Sequence, residues 1–103
     1  MGIPRLSDKE YRVLDMLRSE TERYGLEMVK ESNGALKRGT VYVTLNRMVE
    51  KGYLTSRQEK SPSDPGLPRR LYSITGEGAR ALSVADAARA AAATLGNLGE
   101  VWG

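Results

Sequence analysis

A chain of 103 residues, 40% hydrophobic and 28% charged, suits one soluble globular domain with a modest core. It contains neither Cys nor His, which excludes a disulfide framework and a thiolate or imidazole metal site and removes the commonest general base. The net charge is only +3, but residues 37–70 hold eight basic side chains against three acidic ones, a local +5, while residues 1–36 and 71–103 each sum to −1.

The stretch Met1 to Leu6 lacks the apolar centre of a signal peptide, and no later apolar run approaches bilayer length. A cytoplasmic location and no membrane contact are expected. Ser7-Asp8-Lys9-Glu10 is a capping-box pattern. Behind it Tyr11, Leu14 and Leu17 recur at helical spacing, which predicts a first helix over about Asp8–Ser19. Tyr24 to Glu31 predicts a second, shorter helix, stopped by Asn33-Gly34. In the stretch from Arg38 to Leu54, Val41, Leu45 and Met48 form one apolar stripe, widened by Val49, and Gly52 is the natural end of a third helix. Tyr53–Glu59 favours a strand. Three prolines keep residues 60–68 irregular. Arg69–Ile74 predicts a second strand, with Leu71 and Ser73 on one face and Tyr72 and Ile74 on the other. Thr75 can cap a last, Ala-rich helix, although Gly96 and Gly99 work against its continuation.

The order predicts a mainly α fold with a small β-hairpin: a winged helix-turn-helix over residues 1–75, then a C-terminal dimerisation helix and tail over 76–103. The third helix explains the local charge. Its side away from the apolar stripe carries Thr40, Tyr42, Val43, Asn46 and Arg47. A helix of this length fits across the major groove of duplex DNA, which is ~12 Å wide. Asn can bond two edges of adenine and Arg two edges of guanine. Thr40 at the helix start suits a phosphate, and Lys37 and Arg38 just before it add charge. Lys60, Arg69 and Arg70 flank the wing tip, where they suit phosphates or the minor groove. The plainer reading is that Asn46 and Arg47 are solvated bystanders, and that the wing arginines only resist edge pairing. Tyr42 has the stronger case, because an outward aromatic needs something to pack on or bind.

In the last helix Ala81, Val84, Ala88, Ala91, Leu95, Leu98 and Trp102 recur at alternating steps of three and four, the pattern of a seam between two helices. That seam predicts a homodimer. The alternative is that this helix folds back on Tyr11, Leu14 and Leu17 of the first helix.

Taken together, these motifs resemble the PadR-like family of winged-helix transcriptional regulators over roughly Tyr24 to Gly78. Tyr24-Gly25-Leu26-Glu27 is similar to its second helix. Gly39-Thr40-Val41-Tyr42, Leu45, Arg47, Met48 and Gly52-Tyr53-Leu54 are similar to its recognition helix and exit. Gly66 to Thr75 and Gly78 are similar to its wing and last-helix start. The resemblance implies a dimeric repressor on a pseudo-palindromic operator, with Tyr42, Arg47 and the wing arginines touching DNA. It also shows two departures: Val43 stands where the family usually carries Pro, and Asn46 where a basic residue is common.

No cofactor, no catalytic residue and no metal ligand is expected. An enzyme is the weakest class, because the acidic residues are scattered and no Gly-rich phosphate loop is present. A winged helix for protein binding is the stronger rival, but it has no need of the basic excess. A third reading is a sensor whose small aromatic effector stacks on Trp102 at the dimer seam.

Overall fold

The computed structural model describes residues 5–19, 21–59 and 69–102, with side chains of the last helix as far as Leu95. Helix α1 (Asp8–Met16) starts as its sequence requires. The Ser7 hydroxyl accepts the Glu10 N–H at 3.1 Å, and the Glu10 carboxylate accepts the Ser7 N–H at 2.9 Å. The helix ends earlier than Ser19. The Leu17 N–H is shared between the carbonyls of Val13 and Leu14, at 3.2 and 3.1 Å, which tightens the last turn. That turn drops Leu17 fully into the core and swings Arg18 outward.

Tyr24 does not belong to the second helix. Arg23–Tyr24 form a two-residue strand, β1, and α2 runs over Gly25–Glu31. The backbone of β1 is claimed by pairing with a strand far along the chain, with Arg23 opposite Tyr72 and Tyr24 opposite Leu71. Helix α3 (Val41–Glu50) has the predicted core face, with Val41, Leu45 and Met48 at most 1% exposed. Gly52 then takes φ +82°, the left-handed geometry that lets the chain reverse into β2 (Leu54–Glu59). Strand β3 (Arg69–Ile74) pairs antiparallel with β2, Leu54 opposite Ile74 and Glu59 opposite Arg69. The sheet order is β1-β3-β2. The predicted alternation along β3 gives way, because the strand is central. Tyr72 enters the main core and Leu71 is buried between Tyr24 and Arg57 on its two flanking strands.

Helix α4 (Gly76–Trp102) is continuous through both glycines. The Thr75 hydroxyl accepts the Gly78 N–H at 3.0 Å, the predicted cap, and itself donates to the Gly52 carbonyl at 2.6 Å. Ala81 and Leu82 pack with Val13, Leu14, Leu17, Met28, Leu36, Leu45 and Met48 in one core. Each large apolar side chain so buried contributes about 1.5–3 kcal/mol. The core therefore crosses the 75/76 boundary drawn from the sequence. Ala81, expected to face a second copy, is instead 1% exposed within its own chain.

The fold-back on α1 takes place: the first turns of α4 share the core with Leu14 and Leu17, and polar groups one to two turns later reach Tyr11. The Tyr11 hydroxyl donates to Asp86 at 2.5 Å, and Arg18 donates to the same carboxylate at 2.9 Å. The Arg89 guanidinium sits 3.8 Å from the Tyr11 ring centre and 3.3 Å from Asp8. From Ala87 to Leu95 every side chain is exposed. No helix among the described residues is long and apolar enough to cross a membrane.

Candidate nucleic-acid interface

The outward side of α3 is open. Thr40, Tyr42, Val43, Asn46 and Arg47 are all exposed, Val43 at 59%. The helix begins from a turn in which the Thr40 and Val41 N–H groups both donate to the Lys37 carbonyl, at 3.1 and 2.9 Å. The Thr40 side chain makes no capping bond. Thr40 is exposed at the positive end of α3 beside the exposed Lys37 and Arg38, a setting that suits an anion.

Tyr42 rests on α2. A Cβ built on Gly25 would lie 2.9 Å from ring atom Cε1 of Tyr42, so the glycine is what lets the ring lie against the start of that helix. The ring forms one wall of a groove of about 700 Å³ whose lining includes Tyr24, Lys30, Asn46, Arg70 and Tyr72. This groove separates the recognition helix from the wing.

The wing is tied to the body. Tyr24 donates from its hydroxyl to Glu59 at 2.8 Å, and Arg57 makes two bonds to Glu22, at 2.6 and 2.8 Å. The hydrogen bond to Glu59 raises the Tyr24 hydroxyl above its ordinary value, and burial raises that of Tyr72. Arg69 lies 5.5 Å from the Tyr24 ring centre, and Arg70 donates to the Ser56 hydroxyl at 3.2 Å. Lys60 lies outside the described residues, as do the side chains of Leu98 and Trp102.

The basic residues of the +5 segment divide into two sets. Lys51 is paired with Glu10 at 2.7 Å and Arg57 with Glu22. Among the described residues, the side chains of Lys37, Arg38 and Arg47 make no hydrogen bond or ion pair within the chain. Charge with no ion pair therefore stands on and beside the outward face of α3, and on β3 at Arg70, which bonds the neutral Ser56 hydroxyl. Lys30 was not singled out by the sequence, and Tyr24 and Tyr72 were read there only as parts of a helix motif and a strand face, not as groove walls. They come together only because β1 pairs with β3 and α2 packs on α3. On α4, Val84 is 39% and Leu95 68% exposed, and Ala88 and Ala91 are exposed beside them. No group of carboxylates among the described residues can hold a metal ion.

The family model of the transcriptional regulator PadR-like family matches residues 13–84. Among solved structures, a PadR family transcription regulator from Clostridium difficile is 24% identical, has a TM-score of 0.77, and is matched over 89% of this chain and 97% of its own. A PadR family transcriptional regulator from Eggerthella lenta is 28% identical over 88% of this chain and 80% of its own, with a TM-score of 0.72. Bacillus subtilis PadR, solved in complex with operator DNA, is 25% identical over 72% of this chain and 44% of its own, with a TM-score of 0.63. No curated protein matches. With α2, α3 and all three strands inside the matched span, the chain belongs to the PadR-like family of transcriptional regulators.

Proposed function

We propose that the protein is a cytoplasmic, dimeric repressor that lays α3 in the major groove of a pseudo-palindromic operator. The observation that carries this reading is the division of basic residues. Those that face the body are ion-paired, while Lys37, Arg38 and Arg47, on and beside the outward face of α3, are not. Asn46 and Arg47 read base edges. Thr40, Lys37 and Arg38 take phosphates at the start of α3. Arg69 and Arg70, with Lys60, meet the backbone or minor groove on the wing side. The operator complex of Bacillus subtilis PadR supports a DNA partner. Two copies join through Val84, Ala88, Ala91, Leu95, Leu98 and Trp102 of α4. A lone winged helix reads few base pairs, so specific sites pair two copies about one helical turn apart.

Selection of bound sequences from random duplex DNA tests the reading. An inverted repeat is expected, with affinity falling about 0.9 log units per neutralised phosphate for each log unit of salt. Absence of any enriched sequence, or a flat salt response, overturns it in favour of a protein-binding winged helix.

A further inference from the structure

We propose that Asp86 is a positioning residue: it fixes the angle at which α4 leaves the winged helix, and so sets the half-site spacing that two copies recognise. The proposal rests on the reading of α4 as the dimer arm.

Two kinds of contact hold α4. Its first turns are anchored by apolar packing of Ala81 and Leu82 and by the Thr75 bonds. Such an anchor fixes position well but leaves a lever free to tilt. The second hold comes one to two turns later and is polar. Both oxygens of Asp86 are used, one by the Tyr11 hydroxyl at 2.5 Å and the other by Arg18 at 2.9 Å. Arg18 is itself steadied by Asp15 at 2.7 Å. Arg89 adds a guanidinium stacked on the Tyr11 ring. The Arg18 and Tyr11 bonds hold the Asp86 carboxyl below its ordinary value, which matches a carboxylate that works as an acceptor.

Among the described residues beyond these turns, Arg89 adds only its contacts with Tyr11 and Asp8. All side chains from Ala87 to Leu95 are exposed. A cleft of about 370 Å³, lined by Asp8, Tyr11, Arg12, Asp15 and Arg89, lies beside the contact. The joint is thus not packed shut, and its angle depends on directional bonds. The geometry makes that angle consequential. A tilt of about 10° moves the far side of a molecule 31 Å across by roughly 5 Å, more than the ~3.4 Å that one base pair adds along a strand.

The experiment uses the full chain and duplexes carrying the inverted repeat selected by the wild type, with the half-sites moved apart or together by one and two base pairs. Wild type, Asp86→Asn, Asp86→Glu and Tyr11→Phe are compared, with Glu77→Gln as control, since Glu77 pairs only with Arg80 on its own helix. Sedimentation and thermal unfolding accompany each. The wild type is expected to lose about tenfold in affinity per base pair of misfit, the order of loss that one mismatched base pair brings. Asp86→Asn and Tyr11→Phe are expected to remain folded dimers and to lose less than about threefold, while Asp86→Glu recovers most of the discrimination. A merely structural role would lower affinity for all spacings alike. Unchanged discrimination in both Asp86→Asn and Tyr11→Phe overturns the proposal, as does equal flattening by Glu77→Gln. A wild type that sediments as a monomer on its operator overturns the dimer reading itself, before any spacing is compared.

Discussion

Gly78→Ala separates helix propensity from packing. In a helix, Ala is favoured over Gly by ~0.8–1 kcal/mol, so propensity alone says the variant is more stable. The structure says otherwise. The added Cβ would lie 2.2 Å from the Tyr53 carbonyl oxygen, 3.1 Å from its carbon and 2.9 Å from Cγ1 of Ile74. The first two are backbone atoms, and that oxygen also accepts the Thr75 N–H at 3.1 Å. Relief requires α4 to move by ~1 Å against the turn it is bonded to, and forced backbone shifts of this kind cost ~1–3 kcal/mol or more. The net expectation is ~1–2 kcal/mol of destabilisation, a fall in Tm of roughly 5–15 °C for a domain of this size. Thermal unfolding followed by far-ultraviolet circular dichroism measures it. Gly76→Ala is the matched control, since its Cβ would meet only the end of Arg80, at 3.9 Å; its Tm should hold or rise. A Gly78→Ala protein that melts with or above the wild type would refute the reasoning.

Arg47→Ala and Asn46→Ala should relax base preference by about 1–3 kcal/mol of discrimination each, whereas Arg69→Ala and Arg70→Ala weaken binding evenly across sequences; competition assays with operator variants decide, and unchanged preference in both helix variants removes α3 as the reader. Burial pushes the Glu10 carboxyl up, but the bonds from Lys51 and from the Ser7 backbone and hydroxyl outweigh it and hold the group below its ordinary value. Its contribution is therefore present above the unfolded carboxylate value and is lost as pH falls through the lowered folded one. Glu10→Gln keeps the capping bond to the Ser7 N–H but loses the Lys51 pair, and should cost at most ~1 kcal/mol at neutral pH and make the decline in Tm between pH 5 and 3 shallower, a slope that a wild-type-like profile would contradict. Truncation after Thr94 should give a folded monomer with much weaker operator binding; sedimentation of a persisting dimer would move the contact to α1.

The third helix was legible because a period of 3.6 residues and a single buried face leave little freedom: Val41, Leu45 and Met48 are where the spacing puts them. The Ser7 and Thr75 caps were legible for a similar reason, since each is a local pattern of a few residues. Strand β1 was not. Two residues carry no periodicity, and Arg23 and Tyr24 become a strand only because β3 offers an edge. The same pairing makes β3 central and buries Leu71 and Tyr72 together. The place of α4 was hidden by its composition, because a run of alanines has no dominant apolar side. The seam pattern left a second copy and a fold-back on α1 both open, and Asp86, a lone acid in that run whose partners Tyr11 and Arg18 lie far back in the chain, was not singled out. The recognition surface was half legible: the outward residues of α3 follow from the stripe, but the Tyr24, Lys30 and Tyr72 walls of the groove need the tertiary fold.

The bare stretch of α4 after Arg89 has a consequence for how such a protein can change. From Ala90 to Leu95 no side chain is buried against the body. Substitutions there leave the core and α3 energetically untouched, because sites that share no partners add independently. Under the proposed roles of α3 and α4, pairing between copies and choice of DNA sequence would then drift along separate lines. Regulators of this build would be kept from mixing by altering a few alanines on one arm, without rewriting the DNA site that any of them reads.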